Sequence, residues 1–167
     1  MKHKFKHPRG LMVKKTKLSV KYTPDFKVIA LFSQQKDYRI CWLINHHLQF
    51  DMKRLSDFCF TPYKQSETIQ FPVYGYADRV KRLHYFLLTN KRPEGILFEL
   101  PKNMDYLLLI KNPGAGFEMK TCVNNLRNID NIQGAFPLEN GLGNRSDLIL
   151  YDFEIYADEA IRSSTSG

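Results

Sequence analysis

The stretch YLLLIKNPGAGFEMKTCVNNLRNIDNIQGAFPL, Tyr106–Leu138, contains the pattern of a complete β-α-β unit. Tyr106–Ile110 is continuously apolar, which is typical of a strand that is covered on both faces. After a break rich in Gly and Pro, apolar residues recur at helical spacing over Phe117–Ile129. Ile132–Leu138 then returns as a strand, so the stretch predicts a β-α-β unit with a right-handed crossover.

A second strand–helix pair precedes this unit. Phe26–Phe32 (FKVIALF) is an apolar run bounded by turn residues, which predicts a strand. A helix is predicted over Ser33–Leu48, with Ser33 or Asp37 available to cap its first turn. One face of this helix carries Tyr38, Cys41, Trp42, Asn45 and Leu48, and much of the remaining circumference carries Ile40, Leu43, Ile44 and His47. Such a helix is predicted to be deeply packed, so that Trp42→Ala would cost about 3–5 kcal/mol.

In the middle of the chain, apolar and polar residues alternate in short runs that are separated by turn residues. Strands are predicted at Phe58–Lys64, Thr68–Tyr76, Arg82–Asn90 and Ile96–Glu99, and a last strand at Leu148–Tyr156 (LILYDFEIY). Pro72 confines the second of these runs to an edge or a bulge. The whole pattern predicts one α+β domain, with two helices on one face of an antiparallel-rich sheet. The nearest simple arrangement is ferredoxin-like or ACT-like, with an expanded middle.

The two ends of the chain differ in composition from its body. Residues 1–16 are predicted to form a disordered basic arm, residues 17–156 the single domain and residues 157–167 a flexible tail. The chain has 25 Lys and Arg against 17 Asp and Glu, a net charge of +8. Four of the basic residues lie within residues 1–11. Translation from Met12, which begins MVKKTKL, would therefore remove half of the positive excess.

The composition argues against a membrane-spanning helix and for the cytoplasm. The longest apolar runs, such as Val28–Phe32, are far shorter than the roughly 20 residues that a spanning helix needs. The three cysteines, Cys41, Cys59 and Cys122, have no spacing that is typical of metal ligands. They are interpreted as buried, reduced thiols of a cytoplasmic protein, and neither a metal nor a cofactor is predicted.

Local signatures of catalysis are not found in the sequence. The loop Asn112–Gly116 lies between a strand and a helix start, where backbone N–H groups can bind anions. It lacks the Lys-Ser/Thr of a P-loop and the three glycines of a dinucleotide site, so a plain β-α turn is the simpler interpretation. His46 and His47 are adjacent and point to different helix faces, which predicts one packed and one solvated side chain. His84 lies in a predicted strand without an obvious partner.

Basic residues bracket one aromatic strand. Arg79, Lys81, Arg82, Lys91 and Arg92 flank a run that contains His84, Tyr85 and Phe86. Basic side chains interleaved with aromatic rings can hold phosphates and stack bases. The same pattern is used by a solvated edge strand to deter aggregation. The candidate contacts for RNA or an acidic protein are therefore Arg79, Lys81, Arg82, Tyr85, Lys91 and Arg92, and both interpretations of the strand stay open.

The chain from about Lys14 to Phe153 resembles the IPExxxVDY family of the Bacteroidetes. The shared features are Lys14-Lys15 before a first strand, Lys36-Asp37-Tyr38-Arg39 with Leu43-Ile44-Asn45, Leu88-Thr89-Asn90-Lys91, Met104-Asp105-Tyr106 and the β-α-β close. The namesake motif is Leu100–Tyr106 (LPKNMDY) here. It lacks the Glu after Pro, has Met in place of Val and is two residues shorter. The resemblance implies no biochemical activity, and the motif is interpreted as architectural.

The functional expectation is an interaction or adaptor protein of the bacterial cytoplasm rather than an enzyme. It would bind an acidic macromolecule, either a protein or RNA, with its oligomeric state left open. The alternative is an ACT-like regulatory domain that binds a small ligand at the β-α-β unit and its Gly-rich turn. A third possibility is an enzyme whose residues meet only in three dimensions.

Overall fold

The computed structural model describes residues 25–100, 102, 104–138, 142 and 146–165, so the predicted arm and the residues up to 24 lie outside it. The helices are α1 (Asp37–Leu48), α2 (Met119–Arg127) and α3 (Ser146–Thr165). The longer strands are β1 (Phe26–Phe32), β5 (Val73–Asp78), β6 (Leu83–Thr89), β9 (Tyr106–Lys111) and β10 (Gly134–Pro137). The shorter strands are β2 (Lys53–Arg54), β3 (Phe58–Phe60), β4 (Ile69–Phe71), β7 (Lys91–Arg92) and β8 (Gly95–Ile96).

Six strands form one antiparallel sheet in the order β10-β1-β9-β6-β5-β2. Strands β9 and β10 both run antiparallel to β1, which lies between them, so they are parallel to each other and α2 crosses over β1. Strands β1 and β6 both run antiparallel to β9, which lies between them, so β1 and β6 are also parallel to each other. The predicted β-α-β unit is therefore confirmed. With α1 and α2, these four strands make the β-α-β-β-α-β arrangement of ferredoxin-like folds, and β2 to β5 are its expanded middle.

Helices α1 and α2 pack on the same face of this sheet, as predicted. Their apolar side chains share one core with the residues of β9 that point to that face. The helical contribution to this core is Ile40, Cys41, Leu43, Ile44, Val123 and Leu126. A second core lies on the opposite face of the sheet. Successive side chains of a strand point to opposite faces, so Leu108 belongs to the first core while Leu107 and Leu109 belong to the second. The α+β prediction with two helices on one face is confirmed.

The opposite face of the sheet is covered by α3, which the sequence analysis assigned wrongly. Leu148–Tyr156 was predicted to be a strand and residues 157–167 a tail, but one helix runs from Ser146 to Thr165. Its buried residues Ile149, Leu150, Phe153 and Ala157 recur at helical spacing, while Leu148, Tyr151 and Ile155 are exposed. The run LILYDFEIY is apolar enough to fit either period, and the uncovered sheet face selects the helix.

A buried lysine fixes α3 to the sheet. Lys111, at the end of β9, is 7% exposed, and its Nζ lies 3.2 Å from Glu154 Oε1 and 3.1 Å from Asp158 Oδ1. Burial lowers the pKa of Lys111, but the two carboxylates outweigh this and raise it above its ordinary value. His84 lies opposite Lys111 on β6, and its buried Nδ1 has no hydrogen-bond partner among the described residues.

Three further predictions differ in detail. The run Thr68–Tyr76 is two strands, because the chain leaves a small β3–β4 sheet and enters the main sheet at Pro72. Phe58–Lys64 is a strand only over Phe58–Phe60. The cysteines were predicted to be buried, and Cys41 is, but Cys122 is half-buried and Cys59 is exposed.

Candidate functional site

The predicted basic–aromatic strand is not an edge strand, so that interpretation is wrong. Strand β6 lies inside the sheet, between β5 and β9. Arg79, Lys81 and Arg82 lie in the turn before it, and Lys91 and Arg92 lie beyond its other end. Seven residues of extended chain separate the two groups by about 20 Å. The structure therefore does not bring the two basic groups to one place, and their contact with an acidic partner stays a prediction.

Tyr85, the aromatic member of that set, belongs to the core. Its side chain is 4% exposed, and its ring packs against Phe50 and Tyr76 at centroid distances of 4.6 and 6.0 Å. Burial raises the pKa of Tyr85 to about 12, with a smaller contribution from Cys122. The ring therefore has no open face on which a base could stack.

Three of the five basic side chains already have acidic neighbours. Lys91 Nζ lies 3.4 Å from Asp105, Arg92 Nε lies 3.6 Å from Glu94, and Lys81 Nζ lies 4.0 Å from Asp78. These ion pairs are partly solvated and contribute little to the stability of the fold, so each basic side chain can leave its acidic neighbour to bind another anion.

The segments that carry the family resemblance meet at one place. The side chain of Asn90, which is 1% exposed, donates to the carbonyls of Phe98 and Met104 at 3.2 and 2.9 Å. The same side chain accepts from Phe98 N at 2.8 Å. Lys91 pairs with Asp105 one residue further along each segment. Asn90 therefore holds the loop before β9 against the end of β6.

Asp105 and Tyr106 extend this network to the start of α1. Asp105 Oδ2 accepts from the backbone N–H of Ser33 at 3.0 Å, and Tyr106 Oη donates to Gln35 O at 2.5 Å. Burial and the nearby Asp37 raise the pKa of Tyr106. All these partners are backbone groups or surface charges, and so the geometry supports the architectural interpretation of the motif.

A different surface has the residue types of a binding site. The outer side of α1 presents Tyr38 and Trp42, which are 62% and 50% exposed. The Arg39 guanidinium lies 4.4 Å from the centroid of the Trp42 ring, and the His46 ring is stacked on it at 5.3 Å with an interplanar angle of 3°. We call Tyr38, Arg39, Trp42 and His46 the α1 face.

The sequence analysis placed these residues wrongly. It predicted that α1 is packed over most of its circumference and that Trp42 is buried, but the buried residues are only Ile40, Cys41, Leu43 and Ile44. His46 and His47 are both exposed, whereas one was predicted to be packed. Helical periodicity alone does not decide which of two apolar stripes a helix buries, because that depends on what lies beneath it. The signal that could have found the α1 face is the spacing of Arg39 one helical turn before Trp42 and His46 one turn after it.

A groove lies between α1 and α2 and continues the α1 face. It has a volume of about 610 Å³, and Phe50 separates it from a shallower hollow of about 350 Å³ under Trp42 and His46. Its walls include His47, Phe50, Lys81, Tyr85, Phe117 and Cys122. We call it the α1–α2 groove. Two of the predicted site residues, Lys81 and Tyr85, meet here.

The groove contains polar side chains, but its cysteine is not activated as a nucleophile. Burial raises the pKa of the Cys122 thiol to about 11, and Lys81 opposes this shift. Cys122 is therefore a neutral thiol at pH 7 rather than an activated nucleophile. The Gly-rich loop Asn112–Gly116, with Asn112 at a φ of 57°, makes the turn into α2, and Gly116 lines the groove.

Two further kinds of site, a membrane span and a metal centre, are absent from the described residues. No helix there combines the length and the apolarity that crossing a bilayer requires. In the same part of the chain, no group of three or more His, Cys, Asp or Glu side chains is placed to hold a metal ion.

No family model, curated protein or solved structure matches the chain.

Proposed function

We propose that the protein is a non-enzymatic interaction module of the bacterial cytoplasm, and that its α1 face binds an acidic segment of another protein. The observation that carries the proposal is the half-exposed Trp42 held between two basic side chains. Trp, Tyr and Arg are the residues that most often dominate binding energy at protein interfaces. We also propose that the chain is a divergent IPExxxVDY protein, with support from the convergence of Asn90, Lys91 and Asp105.

The charge of the surface supports an acidic partner. From Tyr38 to Phe50 the chain carries Arg39, His46 and His47 and no Asp or Glu. The preceding residue, Asp37, accepts a hydrogen bond from the Tyr74 hydroxyl at 3.2 Å and so turns toward the sheet. An acidic segment would thus meet the Arg39 cation, and no carboxylate within Tyr38–Phe50 would repel it, which favours association with an acidic partner.

The stacking geometry favours protein over RNA. Arg39 lies one helical turn before Trp42 and His46 lies one turn after it, so both faces of the indole are covered. A base that stacked on Trp42 would first have to displace one of these side chains. The exposed half of the Trp42 side chain remains free to enter a pocket on a protein partner.

The test is recovery of partners from bacterial lysate on the immobilised full chain, with and without nuclease. The wild type is compared with Trp42→Ala and with the matched control Arg79→Ala/Arg82→Ala, which removes two cations elsewhere. We expect nuclease-resistant recovery of a protein with an acidic segment, which Trp42→Ala loses and the control retains. Nuclease-sensitive recovery would assign the surface to RNA, and equal recovery by Trp42→Ala would refute a role for the α1 face.

Trp42 is the single tryptophan of the chain, so its fluorescence reports directly on the α1 face. A synthetic peptide that copies the acidic segment of the recovered protein should change the emission of the wild type. Arg39→Glu should weaken this binding about tenfold or more, since it replaces attraction with repulsion. Binding that is unaffected by Arg39→Glu or by added salt would contradict the electrostatic part of the proposal.

A further inference from the structure

A second binding surface is indicated by the α1–α2 groove. Its volume of about 610 Å³ falls within the roughly 300–1,000 Å³ of small-molecule sites. It lies beside the α1 face but shares only Phe50 with the hollow under Trp42. The groove can therefore bind a ligand without involving the residues of the α1 face.

One end of the groove lies beside the start of α2. The first intrahelical bond of α2 is from Cys122 N to Glu118 O, which leaves the N–H of Thr121, a residue of the groove wall, without an intrahelical partner. Glu118, the residue before the helix, makes no capping hydrogen bond through its side chain. Lys81 lines the same groove with its ammonium group 4.0 Å from Asp78, a distance that leaves it free to bind elsewhere.

Tyr85 adds a donor from inside the protein. Its side chain is 4% exposed and lines the groove, and its hydroxyl makes no hydrogen bond within the described part of the chain. Among the described residues, the buried side-chain polar atoms without a partner are His84 Nδ1 and Thr89 Oγ1, so the Tyr85 hydroxyl still contacts solvent, and an acceptor bound in the groove would replace that water. Phe50, Leu83 and Phe117 form an apolar part of the wall, and His47, Asn125 and Asn128 add polar side chains.

We propose that the α1–α2 groove binds a small molecule that joins one anionic group, a carboxylate or a phosphate, to an apolar body. Lys81, Tyr85 and the first turn of α2 receive the anion, and the aromatic wall receives the apolar body. The carboxylate of Glu118 also lines the groove, and its repulsion selects against polyanions. This site gives the β-α-β unit a small-ligand role that is independent of the α1 face.

The experiment uses the full ¹⁵N-labelled chain and four probes. Benzoate and phenyl phosphate carry an anion on a ring, benzyl alcohol lacks the anion, and inorganic phosphate lacks the ring. We expect one of the first two to shift the amide signals of Lys81 and of Met119–Thr121 in a saturable way. We expect the other two to bind at least tenfold more weakly, and the better of the first pair identifies the anion.

Two variants test the residues, and each has a matched control. Tyr85→Phe removes only the hydroxyl, and Lys81→Gln removes only the charge. Each should raise the dissociation constant about tenfold, as expected for a hydrogen bond to a charged group. Tyr76→Phe and Lys91→Gln should leave it unchanged. Trp42→Ala should also leave it unchanged, so this proposal and the interaction proposal fail independently.

Three results would overturn the site. The first is the absence of a saturable shift with benzoate and with phenyl phosphate. The second is wild-type affinity in both Tyr85→Phe and Lys81→Gln. The third is equal binding of benzyl alcohol, which would show that the anion makes no contribution.

Discussion

At the scale of single residues, Asn90 shows how one buried amide can organise a loop. Its three hydrogen bonds join β6 to the segment before β9. Asn90→Ala would leave the carbonyls of Phe98 and Met104 and the N–H of Phe98 without this partner. We expect it to lower the free energy of unfolding by about 3 kcal/mol, measured by urea denaturation at unchanged m-value. Asn128→Ala, at an exposed position, is the control, and a loss below about 1 kcal/mol for Asn90→Ala would contradict this role.

His84 gives a second prediction at this scale. Burial and the neighbouring Lys111 lower its pKa below the ordinary value of 6.5. Protons therefore bind more readily to the unfolded chain, and stability should fall as the pH drops below about 6.5. The difference in Tm between wild type and His84→Gln, followed from pH 7.5 to 5.5, isolates this contribution from Glu154 and Asp158. A constant difference across this range would show that His84 does not contribute.

At the scale of elements, α3 is the clearest test of the fold. In a strand, Phe153 and Ile155 would share one face, whereas in the helix Phe153 is fully buried and Ile155 is 45% exposed. The Phe153 ring contacts Phe58 and Phe86 at centroid distances of 5.3 and 5.8 Å. We expect Phe153→Ala to cost about 3–5 kcal/mol and Ile155→Ala less than about 1 kcal/mol in chemical denaturation. Comparable losses at both positions would favour the strand.

Helix α1 shows how an element can pack on the sheet and still present a binding surface to solvent. Helix α1 buries one stripe on the sheet and keeps its second stripe, with Tyr38 and Trp42, in solvent. Trp42→Ala should therefore lower the free energy of unfolding by about 1 kcal/mol or less, because the indole is half-exposed. A loss of several kcal/mol in urea denaturation would show that Trp42 is a core residue after all.

At the scale of the whole molecule, the sheet separates two cores, one under α1 and α2 and one under α3. Residues 1–11 have no apolar pattern of their own and are predicted to be dispensable for folding. A chain that starts at Met12 should therefore melt within about 1 °C of the full chain, since lost contacts of 1 kcal/mol would shift Tm by roughly 2–4 °C at this size. A drop of several degrees would show that residues 1–11 stabilise the domain.

The sequence by itself determined the elements whose period has one interpretation. The strand at Phe26–Phe32 and the β-α-β unit of Tyr106–Leu138 were predictable, since local pattern and burial agree there. The placement of both helices on one sheet face followed from the order of strands and helices. Only the tertiary structure decided the rest. The run LILYDFEIY is compatible with both the strand and the helix period. Helix α1 has two apolar stripes, of which it buries one. Tyr85 lies in a central strand, although its basic neighbours in the sequence are typical of an edge strand. In each case the outcome depends on which surface covers which, and burial against a distant segment is not encoded in local spacing.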